Sequence, residues 1–94
     1  MTKVVARAEV EDIERWKNGF ATHSELFKKQ GVTIAYYGVG VGEGNKVAAC
    51  FETTNLNAFM EILESSDTVE AMSQDGIIDG TVEIFVVDSI LETQ

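Results

Sequence analysis

One stretch constrains this chain more than any other: residues 12–31, DIERWKNGFATHSELFKKQG. Ile13, Trp16, Phe20, His23 and Phe27 follow one another at steps of three or four, which places all five on one side of a 3.6-residue helix. Asp12 precedes the run and can accept from the free amides of the first turn, while Glu14 puts negative charge near the positive end of the dipole. Lys28 and Lys29 fall in the last turn, and Gly31 supplies the residue that tolerates the left-handed conformation closing many helices. Gly19 costs about 1 kcal/mol relative to alanine in a helix interior. Beside Trp16, Phe20 and His23 it reads as a place where room is needed. The rest of the chain must bury the resulting apolar stripe.

The flanking segments are suited to that task. Residues 3–10 alternate, with Val4, Ala6, Ala8 and Val10 on one face and Lys3, Val5, Arg7 and Glu9 on the other, which is a strand. Residues 32–40 contain Ile34, Tyr36 and Tyr37 and form a second strand. The sequence Gly42-Glu43-Gly44-Asn45 turns the chain into a third, residues 46–53. Asn55 caps a second helix carrying Leu56, Phe59, Met60 and Leu63. Ser65-Ser66-Asp67 interrupts it, and Asp67 with Glu70 resembles a capping box that restarts a short helix with Val69 and Met72. Gly76 ends that piece, and residues 81–90 make a last strand after the turn at Asp79-Gly80.

The order is β-α-β-β-α-β, the split motif of ferredoxin-like α+β folds: a four-stranded antiparallel sheet with both helices on one face. Val4, Ala6 and Ala8, Ile34 and Tyr36, Val47, Ala49 and Phe51, and Val82, Ile84 and Val86 are expected to meet the helices. The opposite face is expected to carry Val5, Tyr37, Val39, Ala48, Cys50, Phe85 and Val87 among the charged residues. A sheet face left to water should be more polar. The expectation is a homodimer in which two such faces pack together.

Composition sets the bounds. A length of 94 residues, 45% of them apolar and 24% charged, suits one globular domain over residues 1–94. No apolar run approaches the roughly eighteen residues of a membrane span, and MTKVVARAEV lacks the apolar core of a signal peptide. The lone thiol, Cys50, excludes an internal disulfide and suits a reducing cytoplasm. Sixteen acidic residues against seven basic ones give a net charge of −9, which argues against nucleic acid and anionic membranes as partners.

Asp12, Trp16-Lys17, Phe20, His23 and Gly31, followed by Phe59, Ser66, Glu70-Ala71-Met72 and Gly76-Ile77, form a pattern that resembles the dimeric α+β barrel superfamily. It is most similar to small, stand-alone bacterial members related to antibiotic biosynthesis monooxygenase-type proteins, and the resemblance covers nearly the whole chain. It implies a pocket between helices and concave sheet in each subunit. It does not imply one chemistry, since relatives include cofactor-independent monooxygenases, haem-degrading, dismutating and dehalogenating enzymes, and proteins with no known activity. The catalytic asparagine, tryptophan and histidine of the haem-degrading subfamily do not map onto this chain position by position.

His23, the sole histidine, is expected at that pocket. As a catalytic group it would serve as general base, and as a ligand-binding group it would be a polar anchor, with Trp16, Phe20, Phe27, Tyr36 and Met72 as apolar walls. The plainer alternative is a histidine hydrogen-bonded beneath its helix, with the aromatic residues as ordinary core. Gly38, Gly40, Gly42 and Gly44 lead into a strand rather than a helix, so they read as a flexible or bulged hairpin and not as a phosphate cradle. No metal-ligand spacing is present and no cofactor is expected, although a haem held by His23 alone is testable by absorbance. Three functions stay open: binding of a small apolar or aromatic molecule; a cofactor-independent monooxygenase or lyase acting on an aromatic or polyketide-like substrate; or a structural dimer with no ligand.

Overall fold

The computed structural model describes residues 2–29, 31–42 and 44–87. Its elements run β1 (Thr2–Glu9), α1 (Ile13–Lys29), β2 (Thr33–Val39), β3 (Lys46–Thr53), α2 (Leu56–Glu64), α3 (Ser66–Gln74) and β4 (Glu83–Val87). The four strands form one antiparallel sheet in the order β2-β3-β1-β4. The fold is ferredoxin-like α+β, with the second helix divided in two. No described helix is long and apolar enough to cross a membrane.

Local chemistry explains the boundaries. The Arg15 amide donates to Asp12 Oδ1 at 3.1 Å, which satisfies one of the free donors opening α1. At the other end the Gly31 amide donates to the Lys28 carbonyl and the Val32 amide to the Phe27 carbonyl, with Gly31 at φ +78°. That pair of bonds is the Schellman closure, and the apolar contact it favours is present, because Val32 and Phe27 pack into the same core cluster. The Ala58 amide donates to Asn55 Oδ1 and starts α2. Ser65, rather than Asp67, caps α3: its hydroxyl accepts from the Thr68 amide, and its own amide donates to the Ile62 carbonyl to end α2. One residue thus closes a helix and opens the next, which is why the break is so short.

Helices and sheet enclose two clusters. Val4, Val32, Ala49, Phe51 and Phe59 form one, and Val10, Trp16 and Val47 the other; Phe20 packs against both. Phe59 is 1% exposed and Val4 wholly buried. The end of β1 is tied to the end of α3 by a Val10–Ile77 bridge and by the Glu11 amide donating to the Gly76 carbonyl at 2.8 Å.

The faces of the sheet depart from strict alternation at one point. The register between β2 and β3 shifts between Ile34 and Tyr36, so Ile34 pairs with Phe51 but Tyr36 pairs with Cys50 and Tyr37 with Ala49. The extra residue, Ala35, is a bulge, and beyond it every side chain changes sides. Tyr37 therefore faces the helices and Tyr36 the open side, the reverse of what the alternation predicts. Val39 likewise moves to the helix side, paired with Val47. Of the last predicted strand, β4 occupies Glu83–Val87; positions 88–90 lie outside the described residues.

Candidate functional site

Small residues at the middle of the sheet decide what lies beneath the helices. Ala6 and Ala8 on β1 and Ala49 on β3 stand where larger side chains would reach the helix layer. The space they leave is a cavity of about 260 Å³. Trp16, Phe20 and Phe27 line it from α1, Met60 and Leu63 from α2, and Thr68 and Met72 from α3, with Phe51 and Ile84 among the sheet residues. The volume exceeds the roughly 150 Å³ apolar cavity that holds a benzene molecule. The turn after α3 borders it through Ile77. Gly76 takes φ +82°, and the Ile77 amide reaches back to the Met72 carbonyl at 3.1 Å, so the Schellman closure that ends α1 is repeated here with Met72 and Ile77 both on the cavity wall.

Aromatic rings form the wall next to β2. The Phe20 ring centroid lies 4.6 Å from Tyr37, 5.4 Å from Trp16 and 6.2 Å from Phe51, each in a tilted arrangement. Trp16 meets Tyr37 edge-on at 6.0 Å. Polar chemistry at the cavity is sparse: Arg7 and Glu64 contribute from exposed positions, and Thr68 is the buried polar side chain.

Of the residues expected to form the pocket, Trp16, Phe20, Phe27 and Met72 meet there, whereas His23 and Tyr36 are not among its lining residues. Tyr36 is carried to the open face by the bulge. His23 is drawn aside by a carboxylate: its Nδ1 lies 3.3 Å from Oδ2 of Asp75, the residue that caps the C-terminus of α3. Asp75 is buried, and it lies directly over Gly19, where an added Cβ would come within 1.9 Å of Oδ1. Gly19 is one helical turn before His23, which is why an otherwise unfavourable residue stands inside α1. Burial pushes the Asp75 carboxyl above the usual carboxylate range, and the His23 ring and the Arg15 guanidinium pull it partly back. Arg15 Nε also donates to the Gln74 carbonyl at 2.8 Å, so α1 and α3 are joined by two polar contacts.

The second surface of note is the open sheet face. Phe85, Val5, Cys50 and Tyr36 stand in one row across all four strands. Lys3–Glu52 at 2.7 Å borders the row on one side and Arg7–Glu83 at 3.2 Å on the other. Phe85 is 68% and Tyr36 55% exposed. Sequence reading missed Asp75, Thr68 and the placement of Tyr37; Gly19 was the one local signal for the first of these.

No protein-family model matches the sequence, and no curated protein matches it. Solved structures do share the fold. A variant of SnoaB, a cofactor-independent oxygenase from Streptomyces nogalater, superposes with a TM-score of 0.73 at 17% identity, covering 97% of this chain and 94% of that one. A candidate antibiotic biosynthesis monooxygenase from Bordetella bronchiseptica gives 0.75 at 13% identity, covering 96% and 97%. The protein At3g17210 from Arabidopsis thaliana gives 0.71 at 13% identity over the whole of both chains. At these identities the likeness is one of fold, the ferredoxin-like α+β arrangement.

Proposed function

We propose that this protein binds a small apolar or aromatic molecule in the cavity between helices and sheet, as a homodimer joined through the open sheet faces. The observation that carries the reading is the cavity itself: about 260 Å³ walled by aromatic and aliphatic side chains. Natural cores close such spaces, because each missing methylene costs stability. Phe85 and Tyr36, exposed at the two ends of the row through Val5 and Cys50, support the dimer, since apolar surface facing water is unfavourable and covering it is stabilising. Residence in the cytoplasm belongs to the same proposal, with the unpaired Cys50 in its support.

Trp16 is the sole tryptophan and lies on the cavity wall, so the protein carries its own reporter. A panel of aromatic metabolites, with haemin included, should contain at least one compound that quenches Trp16 emission and raises the melting temperature. At a hundredfold excess over Kd the stabilisation is about 2.7 kcal/mol, or on the order of 10 °C for a chain of this size. A panel without effect on either signal would favour the structural dimer.

A second reading, a cofactor-independent oxygenase acting on an aromatic substrate, draws support from the fold shared with SnoaB. Within it His23 is the imidazole base, and because it is held by Asp75 and is not on the cavity lining, its side chain must turn toward the guest to act. Oxygen uptake with a bound aromatic compound, lost in His23→Ala at unchanged melting temperature, is the outcome that reading requires.

A further inference from the structure

The covered face of the sheet dips along one row. The register sets Ile84, Ala6, Ala49 and Tyr37 side by side across β4, β1, β3 and β2. Two alanines thus stand between two long side chains, and Ala6, Ala49 and Ile84 all line the cavity. We infer that the Ala6–Ala49 pair is the specificity determinant of the cavity: it sets the depth at which a flat guest lies across the strands, and within this volume it limits that guest to about two fused rings. The inference rests on the cavity being a binding site, and it names what sets the size and shape of the occupant.

Strand geometry gives the shape. Neighbouring strands lie about 4.8 Å apart, so the row from Ile84 to Tyr37 runs roughly 14 Å between backbones, with the alanines in its two middle places. On one side the next row, Val86, Val4, Phe51 and Ile34, carries full-sized side chains, and Phe51 lines the cavity. On the other side Ala8 is paired with Val47, so the dip continues a little further over β1. Toward β2 the row ends against an aromatic face, because the Phe20 ring on the cavity wall lies 4.6 Å from Tyr37. The hollow is therefore long across the strands and narrow along them, which suits a ring system laid crosswise. Its volume of about 260 Å³ compares with the roughly 150 Å³ that takes one benzene molecule, so a second ring enters and a third does not.

The walls also bear on the edge of the guest that meets the floor. The Thr68 hydroxyl is already bonded to Ser65 Oγ at 3.1 Å, and among the described residues no buried side-chain polar atom lacks a partner. A hydroxyl or carboxylate pressed onto the two alanines would give up its water with nothing to replace it. The edge against the floor is therefore hydrocarbon.

Benzene and naphthalene are the probes, read by Trp16 quenching and calorimetry on the full chain. The wild type should bind naphthalene more tightly than benzene. Ala49→Val and Ala6→Val each raise the floor with a side chain that strands accept. In either variant the preference for naphthalene should shrink by about tenfold, the discrimination that a surplus methyl group produces in an apolar pocket. Ala6→Gly lowers the floor and should widen the preference, so the outcome does not depend on the valine variants folding. A preference unchanged in every variant that folds, or a wild type that prefers benzene, overturns the assignment and leaves the cavity reading intact. Binding of neither probe to the wild type overturns both.

Discussion

The two faces of the sheet are made by the same four strands, yet they solve opposite problems. On the covered face, small residues on β1 and β3 hold the helices off and leave an apolar hollow. On the open face, Phe85 and Tyr36 stand out at the two ends of a row set between two ion pairs. The comparison shows that apolar character alone does not decide whether a sheet face encloses space or presents side chains to solvent. What decides it is the size of the residue at each register position and whether a second layer already lies above it.

The largest break in that contrast is expected from Phe59→Ala. Phe59 is 1% exposed and its ring lies 5.4 Å from Phe51, so truncation should cost about 3–5 kcal/mol, enough to bring a small domain near the point of unfolding. Denaturant melts measure it directly; a loss below about 1 kcal/mol would mean that the core relaxes into the cavity. Next in size is Phe85→Asp on the other face. It should weaken self-association by roughly thirtyfold or more, as removal of an interface anchor does, while circular dichroism keeps its native shape. Sedimentation velocity across a concentration series reads this, and a wild-type chain that sediments as a monomer at every micromolar concentration ends the dimer proposal.

The smallest effect belongs to Asp75, which joins α1 to α3 at the margin of the covered face. Its folded-state pKa is raised, so the folded chain holds this proton to higher pH than the unfolded chain does. The sign follows from linkage: in the window between the unfolded and folded values the native state binds more protons, and stability falls as pH rises through it. Beyond that window the cost of the buried carboxylate is complete, offset in part by His23 and Arg15. Asp75→Asn removes the titrating group, so the wild-type urea midpoint should decline relative to that of the variant as pH rises from the carboxylate range toward neutrality. Parallel midpoints would show that the carboxyl is hydrated and that the His23 contact is incidental.

How far the sequence foretells these features depends on the range of the interaction behind each. The α1 stripe, the alternation of β1 and the Asn55 cap are local, and each is where periodicity and side-chain chemistry put it. The Schellman ends at Gly31 and Gly76 are local as well. The cap of α3 at Ser65 rather than Asp67 is local too, the serine hydroxyl accepting from the Thr68 amide. The remainder is long-range. Asp75 meets His23 across 52 positions of sequence, and nothing near His23 except Gly19 announces it. Whether Ala6, Ala8 and Ala49 leave a hollow or are covered depends on how closely the helices approach, a quantity without any local signature.

The bulge at Ala35 has an implication of its own. Since the ladder absorbs one surplus residue there, pairing with β3 rather than strict alternation from Ile34 decides which phenol points outward. Shortening β2 by that residue would restore simple pairing yet leave Tyr36 opposite Cys50 and Tyr37 opposite Ala49, so both rings would keep their sides. The bulge therefore lets this strand lose or gain one residue at Ala35 while its outer coat and the helices above it stay the same.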